Sequence, residues 1–489
     1  MFRYILLISL FISGCTKNFE EINTDPNRPV SITPGVVLPQ MQYRIVNATI
    51  TASKNFTNPL MQVDAPRSSP GGAGIHRYVI PVNAGIWSTL YGNYLTDIED
   101  IIRISESLGD ANYKAIALIY KSWAYSILTD LYGDIPYTEA SKATEGILQP
   151  KFDDQKFIYE QLMKNLDEAA GIMKTNEALT YGGDMVYNAN SVSGGVNQGM
   201  VKWKKFANSL KLRLLLRISK REGEINVHEQ INTILSDPAQ YPVFSSNADD
   251  AIFKYTNSYP YFNPYFTARQ LDYRDGDYYT KFFIDKLNAD EDPRRAVWAI
   301  PVMVNGQPQY VGIESGYPVN VEYQVGKNSS YSDGLKSFSA LGIMMTYAEV
   351  EFIKAELALK GFNTGKTPRE HYESGIQASM TQWGATMPAD FLTRPGVAYK
   401  EAGSFEEQFE QIMLQKYYAY FFVDHQSWFE KRRTGYPDLP RGAGIQPENQ
   451  FPNRIPYPTY LQSLNATNLA DAVARMGGDN SDIKVWWAK

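Results

Sequence analysis

The chain has 489 residues, 44% hydrophobic and 20% charged, with a formal net charge of −6 at pH 7. That balance describes a globular protein, and the mixing of acids and bases with no basic block argues against nucleic acid as a partner. One cysteine, Cys15, leaves no disulfide within the chain and no CxxC redox or thiolate zinc site.

The chain opens with Arg3 as a positive n-region, Tyr4 to Ile12 as an apolar h-region, and Ile12-Ser13-Gly14-Cys15. The last four residues resemble a lipobox, the processing signal of bacterial lipoproteins. The apolar run is about half the ~20 residues of a membrane-spanning helix, so residues 1–14 read as a lipoprotein signal peptide with Cys15 as the lipidated residue. Residues 15–40 are polar and carry Pro26 and Pro29. They read as an extended tether with no helix. Residues 41–489 read as a single domain. Residues 60–86, with Pro66, Pro70 and three nearby glycines, are expected to be irregular.

Helices are then expected in series. Ile86 to Leu108 contains no proline and stops at Gly109, and Asp110 can cap the next helix. In that helix Ile116, Ile119, Trp123, Ile127 and Leu131 recur at helical spacing, and Gly133 to Tyr137 ends it. Another helix follows Asp153 or Asp154, with Ile158, Leu162, Leu166, Ala169 and Met173 on one face. Trp203 to Ile218 forms a further helix with Lys220 and Arg221 near its C-terminal end, where positive charge suits the helix dipole. Residues 347–384 make the clearest unit. Val350, Ile353 and Leu357 set one face, and Gly361 is the stop. Thr367-Pro368-Arg369-Glu370 is a capping box, and Tyr372, Ile376, Met380 and Trp383 line the second helix. This hairpin has about the length of a tetratricopeptide repeat, with Ala355 and Ala358 small enough for close helix approach. Residues 88–131 are a second candidate hairpin. One long helix is expected from Phe405 to Phe429. Residues 182–200, 244–345, 385–404 and 434–455 read as loops, with β-like pieces such as Val297 to Val304.

Several segments together resemble the SusD/RagB family of outer-membrane nutrient-binding lipoproteins of Bacteroidetes, in its SusD-like branch. They are Asn23-Thr-Asp-Pro-Asn27, Thr129 to Ala140, Pro150 to Gln155, Trp203 to Arg213, Met345 to Glu356, Lys431 to Pro437 and Arg454 to Pro458. Their order and spacing, with the lipobox, carry the resemblance across nearly the whole mature chain. It implies a mainly α-helical fold, in which degenerate tetratricopeptide-type hairpins form a superhelical scaffold under long irregular loops. It also implies a lipid-anchored, surface-exposed outer-membrane protein. Such a protein captures nutrient oligomers and hands them to a SusC-like TonB-dependent transporter. Ligand-binding residues vary within that family and are not carried over.

The residues themselves offer no catalytic constellation. His76, His228, His371 and His425 form no HExxH motif. Gly361 to Thr367 is one residue short of a P-loop and follows a helix, and no GxSxG elbow occurs. No enzyme, cofactor or metal is expected. Asp272, Asp275 and Asp277 cluster without EF-hand spacing and read as a solvated acidic loop in preference to a calcium site. Trp123, Trp203 and Trp383 read as core, and Arg432-Arg433 as a basic helix end pairing with acids.

The chain holds 34 Tyr, 23 Phe and 8 Trp, most of which are expected to pack between helices. Tyr255-Thr-Asn-Ser-Tyr259-Pro-Tyr261-Phe262-Asn263-Pro-Tyr265 stands apart, because it is aromatic, proline-stiffened and without helical or alternating pattern. Flat rings stack on sugar faces or peptide side chains, and stiffness reduces the entropy lost on binding. Tyr255, Tyr259, Tyr261, Phe262, Asn263 and Tyr265 are the candidate ligand contacts. The alternative is a loop plugged into the scaffold, with the Asp64–Tyr78 and Val325–Lys336 loops as the next places to look. The ligand is read as oligosaccharide, with a peptide, or an adaptor role toward protein partners alone, as alternatives.

Overall fold

The computed structural model describes residues 32–72, 74–81, 83 and 85–489. Cys15 and the signal segment lie outside the described residues.

The first helix, α1 (Pro34–Ala52), starts inside the segment read as tether. Thr33 is extended at the N-cap and Pro34 takes the first helical position, where its missing N–H costs nothing. That Thr-Pro start is the signal the polar composition masked. Leu38, Met41, Ile45 and Ile50 face the core. The helix continues through a π-helical turn at Ser53–Thr57. A second π turn, Leu90–Tyr94, precedes α2 (Leu95–Leu108), so the stretch expected as one helix from Ile86 is interrupted by a widened turn.

Gly109 ends α2 in the left-handed region (φ 68°), a conformation open to glycine because it has no Cβ. Asp110 then caps α3 (Ala111–Tyr132), accepting from the Tyr113 N–H. Nearly every side chain of α3 is buried, because it lies between α2 on one side and α4 (Gln155–Ile172) and α5 (Gln198–Arg217) on the other. Asp154 and Asn197 cap α4 and α5 through backbone N–H groups at 2.9 and 3.2 Å. A short α6 (Val227–Ser236) packs on α5. Within the loop-rich region 244–345, α7 (Lys281–Ala289) is capped by Thr280.

The hairpin expected at 347–384 is present as α8 (Tyr347–Leu359) and α9 (Pro368–Gln382), and both halves of the Thr367/Glu370 capping box form. Gly375 lies against the Phe352 ring, where a Cβ would come within 2.7 Å, so glycine permits this close approach. The expected helix Phe405–Phe429 is instead two, α10 (Phe405–Ala419) and α11 (Gln426–Thr434). Between them Phe422 and Asp424 take positive φ values of 62° and 29°. The break turns Phe421 and Phe422 into an aromatic cluster, with Phe421 4.7 Å from Trp298 and 5.5 Å from Trp383. It also places the Asp424 carboxylate 3.3 Å from the Trp123 indole N–H. No Gly or Pro marks the break, because it is made by these distant partners. A last helix, α12 (Ala466–Met476), packs near the end of α3, where Arg475 Nε donates to Asp134 at 2.9 Å.

The strands are short. β1 (Asp64–Pro66) and β3 (Asp277–Tyr279) pair antiparallel with Pro66 opposite Asp277. β2 (Ala251–Phe253) pairs with β6 (Gly342–Met345), and β4 (Val302–Val304) with β5 (Gln307–Gln309). The β-like reading of Val297 to Val304 holds only from Val302. Val297 and Trp298 are helical, which lets Trp298 pack edge-on against Trp383. The successive contacts of α2, α3, α4, α5, α8, α9 and α10 make one row of helical hairpins. The strands and the 244–345 segment lie on it, as the family resemblance implied.

Candidate ligand-binding cleft

The aromatic loop divides between core and surface. Tyr255 is 3% exposed and its hydroxyl donates to Asn47 Oδ1 at 2.6 Å. Tyr265 is buried, with its hydroxyl 3.4 Å from the Ile50 carbonyl. Asn263 is buried too. Its Nδ2 donates to the carbonyls of Leu335 and Phe338 at 3.0 and 3.1 Å, and its Oδ1 accepts from the Tyr265 N–H at 2.9 Å. These three side chains are spent on the scaffold. Burying one such ring removes roughly 150–250 Å² from water, which favours turning it inward wherever its hydroxyl finds a partner. Tyr261 is half-buried, edge-on to Tyr43 at 5.4 Å. Phe262 is half-buried and 5.3 Å from Phe266. Tyr259 is 88% exposed. The open platform is therefore Tyr259 with the outer edges of Tyr261 and Phe262.

Asn47 belongs to a second feature. It lines a cleft of about 580 Å³ between α1 and the 75–94 segment. Thr51 and Asn55 follow Asn47 at spacings of four and share its helix face, and Asn83, Thr89 and Tyr94 face them. Phe56 and Ile75 add apolar surface. Both π turns contribute: Asn55 and Phe56 lie in the first, and Tyr94 ends the second. An inserted residue widens the helix and re-aims its side chains, which is why such turns recur at functional sites. Sequence reasoning missed these residues. A polar i, i+4 row opposite an apolar stripe is what any solvated helix shows, and the π turns carry no local signature.

At one end the cleft shares Asn55 and Ile75 with a smaller hollow of about 220 Å³, lined by Lys54, Asp64, His76 and Asp277. The Lys54 ammonium lies 2.7 Å from Asp277 and 4.9 Å from the centre of the Tyr331 ring. Burial works against its charge, but Asp277 and Asp64 outweigh that and hold Lys54 above its usual range. Asp64 accepts from the Tyr331 hydroxyl, which in turn accepts from Asn58 Nδ2 at 2.9 Å. Burial pushes the Asp64 carboxyl up to about 7, with Asp277 adding to the effect. His76 accepts the Gly316 N–H on Nδ1 at 3.2 Å, and burial beside Arg77 lowers it to about 4, so the imidazole is neutral. The Asp64–Tyr78 loop thus borders both hollows. The Val325–Lys336 loop reaches both ways: Tyr331 joins the Lys54 and Asp64 cluster, while Lys327 and Asn328 border a separate hollow with Met303.

The remaining motifs are structural. Asp272 pairs with Arg269 at 2.7 Å and Asp277 with Lys54, and among the described residues no group of three His, Cys, Asp or Glu could hold a metal. His371 sits between Glu351 and Thr364, 2.9 Å from each, and His425 lies 2.5 Å from the Thr57 hydroxyl. Arg433 clamps Glu356 with two bonds of 2.7 and 2.6 Å, and Arg432 lies over the rings of Trp428 and Trp487. Trp123, Trp203 and Trp383 are core residues. Among the described residues no helix is long and apolar enough to cross a membrane.

A row of helical hairpins bearing a loop-rimmed surface cleft defines a binding scaffold. The chain belongs to the SusD-like family described as starch-binding and associating with the outer membrane, whose match covers residues 26–458. That is a family of binding proteins and not of enzymes. A SusD homolog from Bacteroides uniformis is 27% identical over 94% of this chain and 100% of its own, with a TM-score of 0.77. A chitin-binding protein is 26% identical with the same coverage and a TM-score of 0.78. A chitin-binding SusD homolog from Flavobacterium johnsoniae, 23% identical over 93% of this chain and 98% of its own, shares the fold at a TM-score of 0.76. Among curated proteins no match is found.

Proposed function

We propose that this protein is a lipid-anchored receptor at the cell surface. It captures nutrient oligosaccharides in the α1 cleft and passes them to a SusC-like TonB-dependent transporter in the outer membrane. The observation that carries the capture step is the lining of the cleft. Amides, hydroxyls and the rings of Phe56 and Tyr94 sit on opposed walls, with more exposed rings on the loop that Asn47 tethers. Sugar rings present apolar C–H faces and hydroxyl edges, and this lining meets both. The family description and the chitin-binding relatives support a glycan as the cargo. The lipobox and the family description support the membrane anchor.

Calorimetry with the purified mature chain tests the capture step against a panel of malto-, chito-, cello- and xylo-hexaoses and of hexapeptides. At least one oligosaccharide binds and is recovered unhydrolysed. Binding confined to peptides overturns the reading. The handover is tested by affinity purification of the full-length protein from its native outer membrane, where a TonB-dependent transporter co-purifies.

A further inference from the structure

The cleft is bare of charge. Among the described residues, none of those lining it is Asp, Glu, Lys, Arg or His. Its polar groups are neutral, and two of the three amides have their oxygen already occupied. Asn47 Oδ1 accepts from Tyr255, and Asn83 Oδ1 accepts from the Thr459 N–H at 2.9 Å. Each is left with N–H donors to offer, and Asn55 is exposed beside them. N–H donors serve neutral and anionic acceptor oxygens alike, so sugar hydroxyls and acetamido carbonyls are accommodated and the discrimination rests on the missing counter-charge.

The charges nearest the cleft do not change this. Lys54 is the cation of the adjoining hollow. It is paired with Asp277 and flanked by Asp64. The three groups sum to −1 with Asp64 ionised and to zero with it protonated, so neither state attracts an anion. On α1 itself Arg44 is turned to Asp97 at 3.8 Å. An anionic sugar entering the cleft would lose water from its carboxylate or sulfate and find no counter-charge there, a penalty that selects against it.

We infer that the cleft selects uncharged oligosaccharides and rejects uronate-containing or sulfated ones. This rests on the glycan-capture reading above.

The test is calorimetry with the mature chain at about 50 mM and about 500 mM NaCl. Malto-, chito-, cello- and xylo-hexaose are the neutral probes. Hexagalacturonate and a heparin hexasaccharide are the anionic ones. A neutral probe is expected to bind with less than about a twofold change between the two salts, and both anionic probes at least about tenfold more weakly. Asn55→Ala with Asn83→Ala should weaken the neutral probe by about tenfold or more, with the circular dichroism spectrum at the assay temperature unchanged. An anionic probe that binds as tightly as the best neutral one overturns the selectivity and leaves glycan capture standing. Neutral binding untouched by the double variant overturns the assignment to this cleft. Failure of every oligosaccharide, with a peptide binding instead, overturns glycan capture and the selectivity with it.

Discussion

The hydroxyl of Tyr255 donates a hydrogen bond to Oδ1 of Asn47 at 2.6 Å, across 208 residues of sequence. It ties the aromatic loop to the helix that floors the cleft. It also occupies the oxygen of an amide that lines the cleft and leaves its N–H donors free of that bond. Changing Tyr255→Phe is expected to cost about 1 kcal/mol of stability, because a largely buried acceptor loses its partner. Oligosaccharide affinity should fall as well, since Asn47 is freed to rotate. Urea unfolding and calorimetry measure the two effects separately. Unchanged affinity would show that the bond holds only the loop.

The two ends of the aromatic loop should behave differently. Tyr259 is 88% exposed, so Tyr259→Ala is expected to change stability by less than about 0.5 kcal/mol. Any effect of that variant on binding then reports ring stacking. Tyr265 is buried against Tyr273 and Phe422, so Tyr265→Ala should cost about 3 kcal/mol. Denaturant midpoints decide the comparison, and equal losses would contradict the division of the loop described here.

Asp64 makes stability depend on pH. Its carboxyl titrates near 7 in the folded chain against 3.8 when unperturbed. Between those values the folded state keeps a proton that the unfolded chain has released. Stability therefore falls as pH rises through that window, by at most about 1.4 kcal/mol per unit, and the loss is complete above it. Asp64→Asn removes the term, so the difference in melting temperature between pH 5 and pH 7 should shrink. A difference that stays the same would mean that Asp64 is ionised throughout.

Glu356 and Arg433 form a fully buried, two-bonded ion pair, with Glu430 and Lys416 beside it. The carboxyl of Glu356 is held well below its usual range by Arg433 and Lys360 despite burial. Glu356→Gln leaves Arg433 and Lys416 to share Glu430 as their one buried acid and should cost about 3 kcal/mol. Chemical denaturation measures it, and a loss under about 1 kcal/mol would mean that Glu430 takes over the pairing.

Cys15→Ala should abolish incorporation of a fatty-acid probe and release the protein from the outer-membrane fraction. Multiple acyl chains would anchor it firmly, at about 0.8 kcal/mol per buried CH₂. Labelling that persists in the variant would remove the lipid anchor from the proposal.

Much of the scaffold was legible. The Asp110 and Asp154 caps, the Gly109 stop and the Thr367/Glu370 capping box all act within four residues of each other, so sequence alone displays them. The candidate site was legible only in part. Composition singled out the 255–265 loop as distinctive, yet it could not say which rings turn inward. The cleft residues of α1 looked like any solvated helix face.

Sequence by itself determined the ends that a local cap or stop marks, such as Gly109, Asp110 and Thr367, and that the helices stack through apolar faces, because period, caps and stops are local. It also determined the family, since short motifs in a fixed order survive in the chain. Only the tertiary structure decided what the loops do. Asn263 is buried because the carbonyls of Leu335 and Phe338 await it, more than 70 residues away. The expected helix from Phe405 breaks because Phe421 has Trp298 and Trp383 to pack against, and Asp424 has Trp123 to accept from. The cleft forms where α1 and its π turn meet the 75–94 segment, with Asn55 and Phe56 on one side and Thr89 and Tyr94 on the other. Each of these outcomes depends on a partner distant along the chain, and local pattern carries no record of distant partners.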